Sequence, residues 1–83
     1  MGLIMTTRIT EKDLQALCDE INRKASTPMQ PYNGSKSNDG NYHIAFAYGG
    51  VALHQMRAHG IRDICGGYWP KRELYRRMLA FTP

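Results

Sequence analysis

No run of apolar residues in this sequence approaches the roughly 18 that a membrane-spanning helix requires. The longest clean run, Ile44–Phe46, extends only through Ala47 and Tyr48, so no membrane partner is expected. No secretory leader is expected either, because Met1–Met5 has neither a charged flank nor a long apolar segment. Cysteine is scarce. Cys18 and Cys65 are too few for a secreted disulfide framework, and they read as reduced thiols of a cytoplasmic protein. Metal signatures are absent: there is no Cys-x-x-Cys and no His-Glu-x-x-His, and His43, His54 and His59 with Cys65 make too sparse a set. There is no phosphate-loop signature with Lys-Ser or Lys-Thr. Outside the first helix and the loop after it, the only acids are Asp63 and Glu73, which argues against two-carboxylate hydrolysis. A nucleophilic Cys65 served by His54 and Asp63 finds no support in the spacing, and Cys65 beside Ile64 reads as core. Neither catalysis nor a cofactor is expected, and a binding role is.

What is present is a chain of 83 residues with a formal charge of +4. That length suits one domain of marginal stability, burying about 60–65% of its unfolded surface. Residues 1–8 read as a tail and 9–83 as a single α+β domain. Met1-Gly2-Leu3-Ile4-Met5-Thr6 matches the short myristoylation pattern, a weak one. Through residue 56 the charges balance, five basic against five acidic. Beyond it come Arg57, Arg62, Lys71, Arg72, Arg76 and Arg77 against Asp63 and Glu73, so the whole excess lies in the last third. Such asymmetry points to an anionic partner. Five methionines and five tyrosines also leave room for self-association into a homo-oligomer.

Thr10 to Ala25 is predicted to be a helix. Thr10 and Asp13 form a capping box, Ile9 and Leu14 a hydrophobic staple, and Leu14, Leu17, Cys18 and Ile21 one apolar stripe. Ser26 to Asn41 reads as a loop rich in Pro, Asn-Gly and Asp-Gly, either a hairpin tip or a flap. Tyr42–Tyr48 alternates as a strand, with Gly49-Gly50 as a two-residue turn and Val51–Met56 returning antiparallel. That register sets Tyr48 opposite Val51 and Phe46 opposite Leu53, with His43 and His54 diagonal on the other face. A turn at His59-Gly60 leads to a third strand, Ile61–Cys65, which Gly66-Gly67 ends. Pro70–Phe81 is a second helix, apolar at Leu74, Met78 and Phe81 and basic on its outer side. The expected fold is therefore α+β, α-β-β-β-α, with both helices packed on one face of a small antiparallel sheet.

Several segments, Met5-Thr-Thr-Arg-Ile-Thr10, Asn41-Tyr-His-Ile44, Ala47-Tyr-Gly-Gly-Val51 with Leu53-His54, and Pro70-Lys-Arg-Glu-Leu-Tyr75 with Met78 and Ala80-Phe81, carry a resemblance. The chain resembles small accessory proteins of tailed bacteriophages and prophages over most of its length. The resemblance implies a class, proteins that interfere with host defence by binding a host protein or sequestering a nucleotide signal. It supplies no catalytic residue.

The segment from Gly66 to Arg72 is the strongest functional candidate. A glycine pair, Gly66-Gly67, leads through Tyr68, Trp69 and Pro70 into a helix start, whose free N–H groups suit phosphate. Lys71 and Arg72 stand in the first turn, where cations are disfavoured by roughly 0.3–1 kcal/mol each, and a bound anion would reverse that sign. Tyr68, Trp69 and Tyr48 would stack on a base or line its pocket, the Gly49-Gly50 turn would allow close approach, and Arg62 and Arg76 would add charge. The leading expectation is a nucleotide-like phosphorylated ligand. The alternatives are a nucleic-acid module using the basic face of the last helix, and an inhibitor docked on an acidic host protein.

Overall fold

The computed structural model describes residues 8–83; the tail expected over residues 1–8 and the myristoylation pattern therefore lie outside the described residues, apart from Arg8. The element order is α1 (Glu11–Ala25), β1 (Tyr32–Asn33), β2 (Lys36–Ser37), β3 (Tyr42–Ala47), β4 (Gly50–Arg57), β5 (Gly60–Asp63) and α2 (Lys71–Ala80). The fold is the expected α+β arrangement, with a miniature two-stranded hairpin added inside the 26–41 loop. There Gly34-Ser35 turns the chain so that Tyr32 pairs with Ser37 and Asn33 with Lys36.

Helix α1 starts where its sequence dictates. The Thr10 N–H donates to Asp13 Oδ2 at 2.8 Å, and the Asp13 N–H donates to Thr10 Oγ1 at 3.3 Å. These two bonds satisfy donors that every helix start leaves free. The helix ends at Ser26, left-handed at φ 58°, whose N–H returns to the Arg23 and Asn22 carbonyls. Leu14, Cys18 and Ile21 are buried from this helix, and Leu74 and Met78 from α2. They meet Tyr42, Val51 and Leu53 of the sheet in one core, so both helices share one sheet face. Each such Leu or Ile contributes about 1.5–3 kcal/mol by leaving water.

The main sheet runs β3-β4-β5, antiparallel throughout. Its first register differs from the sequence expectation. Phe46 faces Val51, Ile44 faces Leu53, and Ala47 faces Gly50, so the turn is Tyr48-Gly49 and not Gly49-Gly50. Both turn residues have positive φ, 54° and 73°, the mark of a tight hairpin turn that follows sheet twist. A shift of two residues leaves every side chain on its expected face, but it makes His43 and His54 direct opposites. The second turn is Ala58-His59, with Gly60 already opposite Arg57, and β5 ends at Asp63 rather than Cys65.

One buried side chain sets the docking of α1. Asn22, 0% exposed, donates from Nδ2 to the Tyr42 carbonyl at 2.9 Å. Its Oδ1 accepts from the Tyr42 N–H at 2.8 Å and from Thr27 Oγ1 at 2.7 Å. The amide thus stands in for a neighbouring strand at the edge of β3. Cys18 Sγ adds a second donor to the Tyr42 carbonyl at 3.2 Å. Burial, reinforced by the charge of Asp19, pushes that thiol up to about 12, so it acts as a donor and not as a nucleophile.

Candidate functional site

After β5 the chain leaves the sheet and then rejoins it. The Ile64 N–H donates to the Leu53 carbonyl at 3.0 Å, still in register. Continuing that ladder would set Gly66 opposite Val51, yet the residue found there is Trp69, which exchanges two backbone bonds with Val51 at 2.7 and 2.8 Å. The extra length is taken up around Gly66 and Gly67, whose φ values of 88° and 121° favour glycine. The returning strand runs so close that a Cβ on Gly50 would stand 3.0 Å from the Trp69 carbonyl oxygen. Gly50 is required by this approach rather than by a turn. The consequence is that the Tyr48-Gly49 turn and the first turn of α2 lie at the same end of the sheet.

Rejoining in strand form sends Tyr68 and Trp69 to opposite faces. Trp69 turns toward the helices and packs against the core. Its Nε1 donates to the Cys65 carbonyl at 3.0 Å, and the Arg77 guanidinium lies 3.7 Å from its ring centroid while also pairing with Glu73 at 3.0 Å. With Arg77 on that ring, Trp69 works as a bracket between α2 and the loop. Tyr68 turns to the helix-free face and begins a row of rings. Its ring centroid is 5.3 Å from that of Tyr48 and 5.7 Å from that of His54, and His54 is 5.9 Å from His43, all edge to face. Ala52 on this face is fully buried and Met56 nearly so. Tyr48, at the end of the row, is 93% exposed.

The ring row was not foreseen as a unit, because it rests on the corrected register and on the excursion at Gly66-Gly67. His43 is its inner member: its Nδ1 lies 3.3 Å from Asn41 Oδ1. Burial, and then the neighbouring His54, hold its pKa below the usual 6.5, so the imidazole is neutral at physiological pH. Asn41 is itself fully buried, donating to the Pro28 carbonyl at 2.7 Å. In sequence it looked like one more turn residue.

Of the residues expected to act together, the structure gathers Tyr48, Gly49, Gly50, Tyr68, Lys71 and Arg72 at one end of β4. Helix α2 begins there at Pro70 with no side-chain cap, and Lys71 and Arg72 are exposed in its first turn. Arg62 is elsewhere. It faces Gln55 from β5 and shares a shallow hollow of about 270 Å³ with Arg57 and His59 at the far end of β4. Arg76 and Arg72, four apart, share the outer ridge of α2, opposite Leu74 and Met78. Gly66 and Gly67 shape the path of the chain; Gly66 borders the Trp69 ring, and a Cβ on Gly67 would meet open space.

Cys65 is half-buried beside Arg77 and Phe81. Burial and then Asp63 push its thiol up, with Arg77 opposing. Among the described residues no hydrogen bond joins Cys65, His54 and Asp63, and no three His, Cys, Asp or Glu side chains gather as a metal set. Nor is any described helix long and apolar enough to cross a membrane. Compared with protein-family models, with curated proteins and with solved structures, the chain finds no match in any of the three.

Proposed function

We propose that this protein is a non-enzymatic accessory protein of the phage type that binds a small phosphorylated, nucleotide-like ligand and so withdraws a defence signal in the host cytoplasm. The observation that carries the reading is Tyr48. It holds a left-handed φ of 54° at a turn position that favours Gly or Asn, and its ring stands 93% exposed against Tyr68. That backbone conformation costs an L-residue about 1–2 kcal/mol, and the exposed ring recovers little of it by burial. A base laid on Tyr48 or Tyr68 recovers about 1–3 kcal/mol. The phosphate then falls toward the uncapped start of α2, where Lys71 and Arg72 complement it. The resemblance to small phage proteins supplies the biological class, and the charge asymmetry supplies the sign of the ligand.

A thermal-shift series with nucleoside mono-, di- and cyclic phosphates tests this. Ligand at about a hundredfold over its Kd adds about 2.7 kcal/mol, which raises the midpoint of a domain this small by more than about 10 °C. Tyr48→Ala and Lys71→Ala each reduce that shift, and Arg62→Ala leaves it unchanged. Absence of a shift with every phosphorylated compound would reject the reading. A second reading is favoured by the outer ridge of α2, where Arg72 and Arg76 are aligned: nucleic acid bound along that helix. It predicts affinity that falls steeply with salt and is insensitive to Tyr48→Ala.

A further inference from the structure

The two edges of the main sheet are built differently. β5 is four residues long and carries Arg62 and Asp63, the short, charged form that discourages pairing with another chain. β3, Tyr42-His-Ile-Ala-Phe-Ala47, has no Lys, Arg, Asp, Glu or Pro. Backbone direction follows from Val51, whose N–H and C=O both bond Trp69 on the β5 side. Odd residues of β4 therefore point to β5 and even ones to β3. The pairing then turns His43, Ala45 and Ala47 inward and leaves Tyr42, Ile44 and Phe46 aimed out from the edge. At Tyr42 both outward groups are taken by Asn22. At Ile44 and Phe46 no group among the described residues takes them, and Phe46 is 58% exposed.

We propose that the Ile44–Phe46 edge pairs with the same edge of a second copy of this chain, joining two three-stranded sheets into one of six. The open stretch is bounded by the Asn22-closed Tyr42 on one side and by the turn at Tyr48 on the other, and it is centred on Ala45. A two-fold axis through Ala45 sets Ile44 of one protomer opposite Phe46 of the other. Each of those two pairs exchanges both backbone hydrogen bonds, and each exposed phenyl ring gains an isoleucine across the strands. Charge favours the same occupant. The chain's excess of positive charge lies in its last third, on α2 and at Arg57 where β4 ends, so two copies meet through an edge strand that carries no charged residue. An unrelated extended peptide would gain the backbone bonds of two residues and no matched side chains. The proposal is independent of the ligand reading.

Sedimentation of the full chain from about 1 to about 200 µM, beside amide hydrogen exchange at both ends of that range, tests it. The expected result is a concentration-dependent dimer in which the Ile44 and Phe46 amides become protected as it forms. Phe46→Lys, which removes no buried side chain, should weaken the association by about tenfold or more while leaving the circular dichroism spectrum unchanged. A monomer at every concentration would overturn the proposal. So would a dimer in which those two amides still exchange freely. Protection that does not vary with concentration would place a segment of the same chain on this edge, and that too would overturn it.

Discussion

The two helices begin in opposite ways. α1 has a threonine cap, a reciprocal Asp13 bond and acids in its first turn, all supplied within four residues of sequence. α2 begins at Pro70 with no side-chain cap and with Lys71 where α1 has Glu11; Arg72 and Glu73 then match Lys12 and Asp13 in sign, so the difference between the two first turns is Lys71. What holds the start of α2 is remote: the Val51–Trp69 backbone pair and the Arg77–Trp69 contact. A helix start that satisfies itself serves as a wall. A start held from outside, with Lys71 at its first position in place of an acid, gains stability from an anion.

The comparison can be broken first at the attachment of α1. Asn22→Ala leaves the Tyr42 N–H and C=O without their side-chain partner and should cost about 3 kcal/mol, read as a lower urea midpoint. Gly50→Ala attacks the remote support of α2, forcing a Cβ against the Trp69 carbonyl. A loss of about 2 kcal/mol is expected, accompanied by a change in Trp69 fluorescence that Asn22→Ala does not produce. Thr10→Ala removes the cap of α1 and should cost about 1 kcal/mol by thermal denaturation.

The same contrast has a pH signature. The backbone N–H and then the hydroxyl of Thr10 hold the Asp13 carboxyl below its ordinary 3.8. Because the folded value is the lower one, the cap's contribution is present above pH 3.8 and is lost as pH falls through the folded value. Between about pH 5 and about pH 2, the midpoint of the native protein should therefore fall more than that of Asp13→Asn. The matching carboxylate of α2, Glu73, pairs instead with Arg77 at 3.0 Å.

Most of the architecture was legible because local signals agreed. Thr10, Asp13 and the Leu14–Ile21 stripe define α1 without help from the rest of the chain, and Leu74 with Met78 orients α2. The hairpin register was misplaced by two residues because Tyr48, not Gly50, takes a positive φ. Glycine looked like the turn former, whereas the close approach of Trp69 is what fixes Gly50. The Tyr68-Trp69 pair read as one stacking unit until the excursion at Gly66-Gly67 sent the two rings to opposite faces. No sequence pattern could announce that Arg77 covers Trp69, eight positions away, or that Asn22 closes the edge of β3. Both depend on contacts between elements, and an asparagine at mid-helix ordinarily reads as a surface residue.

Lys71→Glu tests the central claim most directly, because it gives α2 the kind of first turn that α1 already has. Without ligand, a small gain in stability is expected, about 0.5 kcal/mol at low ionic strength, together with loss of the thermal shift produced by the stabilising nucleotide. A variant that is less stable than the native protein and keeps its full nucleotide response would contradict it.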